Sequence, residues 1–401
     1  MVQETAKKSR VNPLLLILLT IFIDLVGFGL IIPVLPIYAR QLHADDQTVG
    51  LLMASYSLMQ LIFTPYLGRL SDKMGRRPIL IVSLIASSIG YTLWGVSTSL
   101  LMLFLARLVA GAASANISVA QAYVTDVTTP ETRAKGMGLV GAAFGLGFVL
   151  GPAIGSFFAD FGLPMVGFIA AGFSVLDLLL TLWLLPEPER RTQNTSQKIG
   201  LDPAFYWTTL RNPDLKALLL IYFISTFAFS NMETTLVMLT VDQYGFSNTM
   251  IRWLLTYIGF IIVVVQAGLI GRLNRRFGEK RLINIGCSFI AIGLLLTPAT
   301  RDPRVLCTAL AFLAIGSGFN GPANQSLMSK LAPTDKIGGT MGVGQSLATF
   351  GRILGPALGA FAYQHFGHSS PYWLGAVAAV VALSLSLGLP DSTDRSIKPA
   401  G

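Results

Sequence analysis

The chain has 401 residues, of which 53% are hydrophobic and 12% charged, with a formal net charge of +9. A soluble protein carries about 25% charged residues, so this composition excludes an ordinary soluble fold and indicates a membrane protein. Forty glycines fit that interpretation, because small residues let membrane helices approach one another closely.

Apolar segments long enough to cross a bilayer recur along the whole chain. A spanning helix needs roughly 20 mostly apolar residues, and the first such segment, "NPLLLILLTIFIDLVGFGLIIPVLPIYA", is too long for a cleavable signal peptide. A β-barrel would instead show short alternating strands. We therefore predict an all-α polytopic membrane protein with twelve transmembrane helices, at 13–39, 47–68, 78–98, 100–124, 134–159, 164–185, 214–241, 248–271, 281–299, 304–329, 338–364 and 371–389.

Basic residues are concentrated on one side of these predicted spans. If residues 1–12 are cytoplasmic, the outer loops hold only Arg40, Arg252, Arg301 and Arg304. This asymmetry follows the positive-inside rule and predicts a multi-pass protein of the cell inner (cytoplasmic) membrane with both termini cytoplasmic. The positive charge then reflects contact with anionic lipid, and no nucleic-acid partner is expected.

The second half of the chain repeats the first. "GRLSDKMGRRPIL" at 68–80 matches "GRLNRRFGEKRLI" 203 positions later, and "GLGFVLGPAIGSF" at 145–157 matches "TFGRILGPALGAF" 204 positions later. Six helices per copy keep both copies in the same orientation, which makes this a parallel repeat. We predict an N-terminal six-helix bundle at 1–186, a cytoplasmic linker at 187–213 and a C-terminal six-helix bundle at 214–401.

Four motifs carry a family resemblance: "DLVGFGLIIPVLP" (24–36), "GRLSDKMGRRP" (68–78), "RLVAGAASA" (107–115) and "GFVLGPAIGS" (147–156). On these, the chain resembles the major facilitator superfamily, within its twelve-helix drug:proton antiporter group, which includes tetracycline and multidrug efflux pumps. The resemblance implies proton-coupled export by alternating access, in which two bundles rock about a site at the membrane midplane.

The resemblance identifies the 68–78 loop as a latch that holds the outward-facing state. Gly68 and Gly75 allow close approach or positive φ. Asp72 is expected against the N-terminal dipole of a helix in the other half, and Arg76 is expected to pair with Asp126. The alternative is that these charges only set the topology. The predicted cytoplasmic gate comprises Gly68, Asp72, Gly75, Arg76, Arg77 and Asp126.

Five ionisable residues lie within the predicted spans. At the bilayer centre each costs at least about 2.5 kcal/mol, so each is a functional candidate; the alternative is that acids and bases only pair to hold the bundle together. The resemblance makes Arg107 a partner that regulates protonation of a buried acid, and Arg352 is a counter-ion of either Asp24 or Glu233. The predicted proton-coupling residues are Asp24, Arg107, Asp177 and Glu233. The predicted substrate cavity comprises Asp24, Asn116, Gln121, Asn231, Glu233, Thr234 and Arg352.

Predicted helices 5 and 11 carry equivalent glycine-proline motifs. Glycines permit close backbone packing, and each proline removes one helical hydrogen bond. In the resembling family the helix-5 version marks exporters, although packing alone also explains the spacing. The predicted packing residues are Gly147, Gly151, Pro152 and Gly155, and Gly351, Gly355, Pro356 and Gly359.

The sequence departs from tetracycline pumps at three places. Those pumps have an acid in helix 3, a histidine in helix 8 and an acid in helix 9, where this chain has Gly90, "IIVVVQAG" and "GCSFIAIGLLL". We therefore expect a small amphipathic or cationic drug-like substrate rather than tetracycline itself.

No catalytic cluster, metal-ligand pattern or phosphate-binding loop occurs in the sequence. We expect a monomeric transporter without a cofactor, not an enzyme, whose partners are protons, its substrate and the lipid bilayer. One alternative is a superfamily transporter of a specific metabolite, sugar or lipid. A less favoured one is a non-transporting membrane sensor.

Overall fold

The structure, a computed structural model, describes residues 12–114, 116–188, 209, 211–299, 301–332 and 337–389. We label its long helices α1 to α12 in chain order. In the first half, α1 is Pro13–Ile31 with a continuation at Leu35–Gln41, α2 is Asp46–Met74, α3 is Arg76–Gly95, α4 is Leu100–Ala113 with Asn116–Val127, α5 is Pro130–Ala159 and α6 is Leu163–Leu184. In the second half, α7 is Pro213–Asp242, α8 is Asn248–Val263 with the π-helical Val264–Leu269, α9 is Ile270–Leu296, α10 is Pro303–Leu331, α11 is Ile337–Phe366 and α12 is Ser370–Leu387.

The helices match the twelve predicted spans. In the described part of the chain, ten are long and apolar enough to cross a membrane. The other two, α5 and α11, have 30 residues each, which is about 45 Å of helix. Seven glycines in α11 lower the mean hydropathy of that helix without shortening it. The prediction of an all-α polytopic membrane protein is confirmed.

Capping side chains and prolines set several helix ends. The side chains of Asn12, Asp45 and Ser99 accept hydrogen bonds from backbone amides in the first turns of α1, α2 and α4. Within α1 the helix stops at Ile31 and restarts at Leu35, because Pro33 has no amide hydrogen to continue the helical pattern.

Two equivalent glycines turn the chain between consecutive helices. Gly75, between α2 and α3, has φ 108° and ψ 156°. Gly278, which lies 203 positions later, has φ 76° and ψ 163°, and it bends the helical segment Ile270–Leu296 near its start. Positive φ favours glycine because it has no Cβ. The predicted repeat therefore extends to backbone conformation.

The contacts between helices follow the same repeat. Helix α1 packs on α5 and α6, and α3 packs on α4 and α6; correspondingly, α7 packs on α11 and α12, and α9 packs on α10 and α12. Between the halves, α2 packs on α11 and α5 packs on α8, which are equivalent pairs. The predicted linker at 187–213 lies mainly outside the described residues, so the domain boundaries stay predictions.

Candidate functional site

Asp24 lies on α1 in a buried polar pocket of the first half. Its exposed fraction is 5%, and Asn116 of α4, which is 2% exposed, lies beside its carboxyl group. Tyr56 of α2 and Tyr91 of α3 are within electrostatic range of Asp24. Polar groups from three other helices therefore surround this carboxyl.

Arg107 on α4 is also buried, but it forms no ion pair with Asp24 in the described structure. Its guanidinium carbon lies 4.5 Å from the centre of the Tyr56 ring. Long hydrogen bonds of 3.4 and 3.5 Å join it to the carbonyl oxygens of Leu52 and Met53 on α2. Tyr56 and Tyr91 are each within electrostatic range of both Asp24 and Arg107, and the predicted influence of Arg107 on a buried acid stays a prediction.

Glu233 on α7 and Arg352 on α11 are charged residues of the second half that lie near this region. The two side chains interact electrostatically, and Arg352 also donates a 3.2 Å hydrogen bond to the Thr349 hydroxyl. Of the two counter-ions that the sequence leaves open for Arg352, Glu233 is the one within its electrostatic range, although the two form no ion pair in the described structure. Tyr56 is within electrostatic range of Arg352 as well as of Asp24 and Arg107, so it is near charged groups of both halves.

Two of the predicted cavity residues are packed inside the second bundle instead. Asn231 and Thr234 are both 0% exposed. The Asn231 amide donates to the Pro371 carbonyl oxygen of α12 at 2.8 Å, and the Thr234 hydroxyl donates to the Ser230 carbonyl oxygen at 3.1 Å. Neither side chain faces a cavity in this structure, so the prediction needs correction for both. Gln121 on α4 is partly exposed, and its cavity role stays a prediction.

Asp177 on α6 is 1% exposed and faces α1 rather than the charges around Tyr56. Neither of its carboxyl oxygens has a hydrogen-bond partner. Thr20 of α1 lies beside it without forming a well-aligned hydrogen bond. The proton-coupling role of Asp177 stays a prediction.

We call the end of the bundle that holds Gly75 and Gly278 the basic end. Here Arg76 Nε donates to Asp126 Oδ2 at 2.9 Å, which is the predicted pair, and Arg76 Nη1 lies 2.6 Å from Asp72 Oδ1. Asp72 therefore contacts Arg76 of its own half rather than a helix of the other half. Gly68 has no positive φ, and nothing lies within 4 Å of the position that its Cβ would occupy, so its predicted conformational role is wrong.

Glu187, which sequence reasoning left inside the linker, caps the start of α3. Its two carboxylate oxygens accept the backbone amides of Arg76 and Arg77 at 2.7 and 2.9 Å. A carboxylate is favoured at a helix N-terminus because it meets unpaired amides and the positive end of the dipole. Arg77 in turn donates to the Leu182 carbonyl oxygen near the end of α6, so it ties α3 to α6.

The second half has an equivalent cluster with reversed charges. Glu279 corresponds to Arg76 and Lys330 to Asp126, and the Lys330 ammonium forms an ion pair with the Glu279 carboxylate. Ser326 and Asn274 also donate to Glu279, at 2.9 and 3.1 Å. The offset of the repeat was the signal that could have found this pair from the sequence.

At the opposite end, which we call the Arg40 end, an ion pair joins the two halves. Arg40 donates two 2.8 Å hydrogen bonds to the two carboxylate oxygens of Asp242 at the end of α7, and a 2.6 Å bond to Asp46 of α2. Tyr363 of α11 donates to Asp242 at 2.8 Å. Burial opposes the charge of Arg40, but the bonds and charges of Asp242 and Asp46 outweigh it and raise the pKa of Arg40 above its ordinary value.

Further polar contacts reinforce this junction. The Gln364 side chain accepts from the backbone amide of Gln47 at 2.9 Å and donates to Asp45 at 3.3 Å. Nearby, a side chain at Gly50 of α2 would lie 2.5 Å from the Cβ of Ala360 on α11, so the two helices touch. The sequence alone places Arg40 only in an outer loop, because it does not indicate which helix ends meet.

The glycine-proline motifs bring α5 against α1 and α11 against α7. A side chain at Gly147 would lie 2.5 Å from Leu25 Cβ, one at Gly151 would lie 2.6 Å from Gly29 Cα, and one at Gly155 would overlap the Leu30 carbonyl oxygen. In the second half, Gly351, Gly355 and Gly359 make the equivalent approach to 223–231. The structure has the close packing expected of these glycines, and the exporter assignment remains a prediction.

Comparison of the whole chain with known proteins identifies its family. The sequence profile of the Major Facilitator Superfamily matches residues 17–230 and 218–401. The chain belongs to the major facilitator superfamily. This superfamily member is 33% identical over 359 residues to the tetracycline resistance protein, class B, of Escherichia coli, with 88% of each chain covered. It is 30% identical to multidrug resistance protein 1 of Bacillus subtilis (strain 168), over 94% of this chain and 97% of that protein.

Among solved structures, the fold is similar to that of the human organic anion transporter MFSD10 (TETRAN). The TM-score is 0.73 at 25% sequence identity, with 93% of this chain and 98% of that chain covered. The resemblance stated from the motifs is therefore confirmed at the level of family and fold.

Proposed function

We propose that this superfamily member is a proton-coupled antiporter that exports small amphipathic or drug-like molecules by alternating access. Charged groups of both halves lie near Tyr56, and this observation carries the proposal. They are Asp24 and Arg107 of the first half and Arg352 of the second, which has Glu233 within its electrostatic range. Charged residues that meet between two repeats are suited to bind a solute and a proton in turn, since each charge is costly in a bilayer unless it is paired or takes part in transport.

The driving force is sufficient for such a cycle. One charge that moves across about 100 mV supplies roughly 2.3 kcal/mol, which sustains about a fifty-fold gradient at 1.36 kcal/mol per decade. We place the protein in the cell inner membrane as a monomer, with the basic end and both termini in the cytoplasm, as the positive-inside rule requires. In the described structure the halves are tied at the Arg40 end, which on this orientation faces outward.

Substrate class is proposed from the charges and from the relatives. Glu233 is half-buried and suits a cationic amphipath, for which tetraphenylphosphonium is a probe. Tetracycline is a second probe because of the class B relative, although a side chain at Gly90 would lie 2.8 Å from the Ala110 backbone nitrogen and leaves no room for an acid. The buried Arg107 and the half-buried Arg352 favour an organic anion as the alternative, and an anionic dye tests it.

Uphill transport in proteoliposomes with an imposed pH gradient tests this function. We expect accumulation of at least one probe by the unmodified protein, and we expect Asp24→Asn to remove accumulation while substrate–substrate counterflow continues, because counterflow needs no net proton movement. Asp24→Glu keeps the carboxyl and should retain part of the uphill transport. Unchanged proton coupling in Asp24→Asn would favour the metabolite or lipid transporter, and absence of counterflow for every probe would favour the sensor.

A further inference from the structure

A narrow cleft between α1 and α6 holds the Asp177 carboxyl group, which forms no ion pair or hydrogen bond with the charged residues around Tyr56. Its polar residues are Thr20 of α1 and Asp177 and Thr181 of α6, among leucines of both helices. Asp177 is 1% exposed, and neither of its carboxyl oxygens has a hydrogen-bond partner. A buried carboxylate without a partner is costly, and binding a proton removes that cost.

The polar residues of the cleft continue to Asp24. On α1, Thr20 and Asp24 lie four residues apart and therefore on one face, and on α6 the same spacing joins Asp177 to Thr181. All four are between 1% and 5% exposed. Thr20 lies beside Asp177, and Asp24 is within electrostatic range of it. We call Asp24, Thr20, Asp177 and Thr181 the α1–α6 ladder.

The ladder descends from the middle of the bundle toward the basic end. Asp24 lies about 16 Å from the start of α1, whereas Asp177 lies about 10 Å from the end of α6. Thr181 comes one turn later, where its carbonyl oxygen is 3.5 Å from Arg77 Nε of α3. The charged groups described around Asp177 are thus Asp24 from α1 and Arg77 from α3.

We propose that Asp177 is a second proton-binding group of the transporter, which takes the proton that Asp24 releases and passes it to the basic end. The proposal rests on the proposed antiport. In the step, the O–H bond of the protonated Asp24 carboxyl breaks, and the Thr20 hydroxyl accepts that proton while it donates its own to a carboxylate oxygen of Asp177. Asp24 is left as a carboxylate, and Asp177 then loses its proton to water at the basic end.

Transport by Asp177→Asn, compared in two modes, tests the proposal. With tetraphenylphosphonium, tetracycline and an anionic dye as probes, we expect uphill accumulation to fall at least about tenfold, because a positioned proton carrier is lost. Counterflow of the same probes should stay within about twofold, and Asp177→Glu should restore accumulation. Thr181→Val should reduce accumulation more weakly, and Thr240→Val, which removes an equally buried hydroxyl from α7, serves as the matched control.

Infrared difference spectra report protonation of a carboxyl group, so they distinguish a proton-binding role of Asp177 from a purely structural one. A change of pH should produce a carboxyl band that Asp177→Asn removes, whether or not any probe is a substrate. If that variant keeps uphill accumulation, keeps the band, or loses counterflow and accumulation equally, the proposal is wrong. If the unmodified protein accumulates no probe but shows the band, the proposed antiport fails while the proton site stands.

Discussion

Individual residues explain why a polar stretch of sequence was a poor guide to the cavity. Residues 230–235 of α7 are almost all polar, and the predicted cavity includes Asn231, Glu233 and Thr234 together. At 100° per residue, however, Glu233 points about 200° away from Asn231. Asn231 therefore contacts α12, whereas Glu233 reaches the surroundings of Arg352 on α11. Only one side of that polar stretch can line a cavity.

Gly155 makes the closest described approach between α1 and α5. We therefore expect Gly155→Leu to destabilise the protein. The new side chain would overlap the Leu30 backbone, and overpacking of this kind costs about 1–3 kcal/mol. The measurement is the thermal unfolding midpoint in detergent. Gly172→Leu is the control, because nothing lies within 4 Å of the Cβ position there. Equal midpoints for the two variants would contradict the packing role.

Helices and their connections were the most predictable part of the molecule. Every predicted span corresponds to a helix, because length and hydropathy act locally along the chain. The repeat also aligns Gly75 with Gly278, which are two of the glycines with positive φ. Contacts between elements distant in sequence were not predictable: Arg40 could bind any acid at its end of the bundle, and only packing brings it to Asp242, 202 residues away.

The Arg40 cluster joins α1 and α2 to α7 and α11, so its loss should favour separation of the halves at that end. Arg40→Ala removes the bidentate pair. Each side chain of the pair is 26% exposed, which limits its contribution to about 1 kcal/mol, or roughly a fivefold change in the ratio of states.

Spin-label distances between positions 41 and 365 measure this change in a cysteine-free background. We expect a larger fraction of long distances in Arg40→Ala than in the unmodified protein. Arg304→Ala, which alters an exposed arginine at the same end, is the control. Identical distance distributions in Arg40→Ala and the unmodified protein would rule out a gating role for this ion pair.

At the scale of the whole molecule, the two halves share geometry but not charge. Arg76 with Asp126 and Glu279 with Lys330 occupy equivalent positions at the basic end, with acid and base exchanged. The backbone turn and the location of an ion pair are thus common to both halves. Each pair requires one acidic and one basic side chain, and either of the two positions can carry the acid.

A double charge exchange tests this equivalence. Glu279→Lys places two ammonium groups together where the Glu279 side chain is 3% exposed and the Lys330 side chain is 55% exposed. We expect a loss of about 2 kcal/mol of stability, between the values for exposed and buried ion pairs, together with reduced uphill transport. Adding Lys330→Glu restores opposite signs and should recover most of both. Arg281→Glu, at an exposed neighbouring position, is the control. A double variant no better than Glu279→Lys would show that the order of the charges matters.

Reversed pairs at matching positions also constrain the history of the duplication. If the six-helix unit already carried an ion pair here when its gene was doubled, both copies at first had the acid and the base in the same order. At least one lineage then exchanged both residues, and any ancestor with a single exchange held two like charges side by side. Descendants should consequently have changed these two positions as a couple, or passed through an uncharged stage at both.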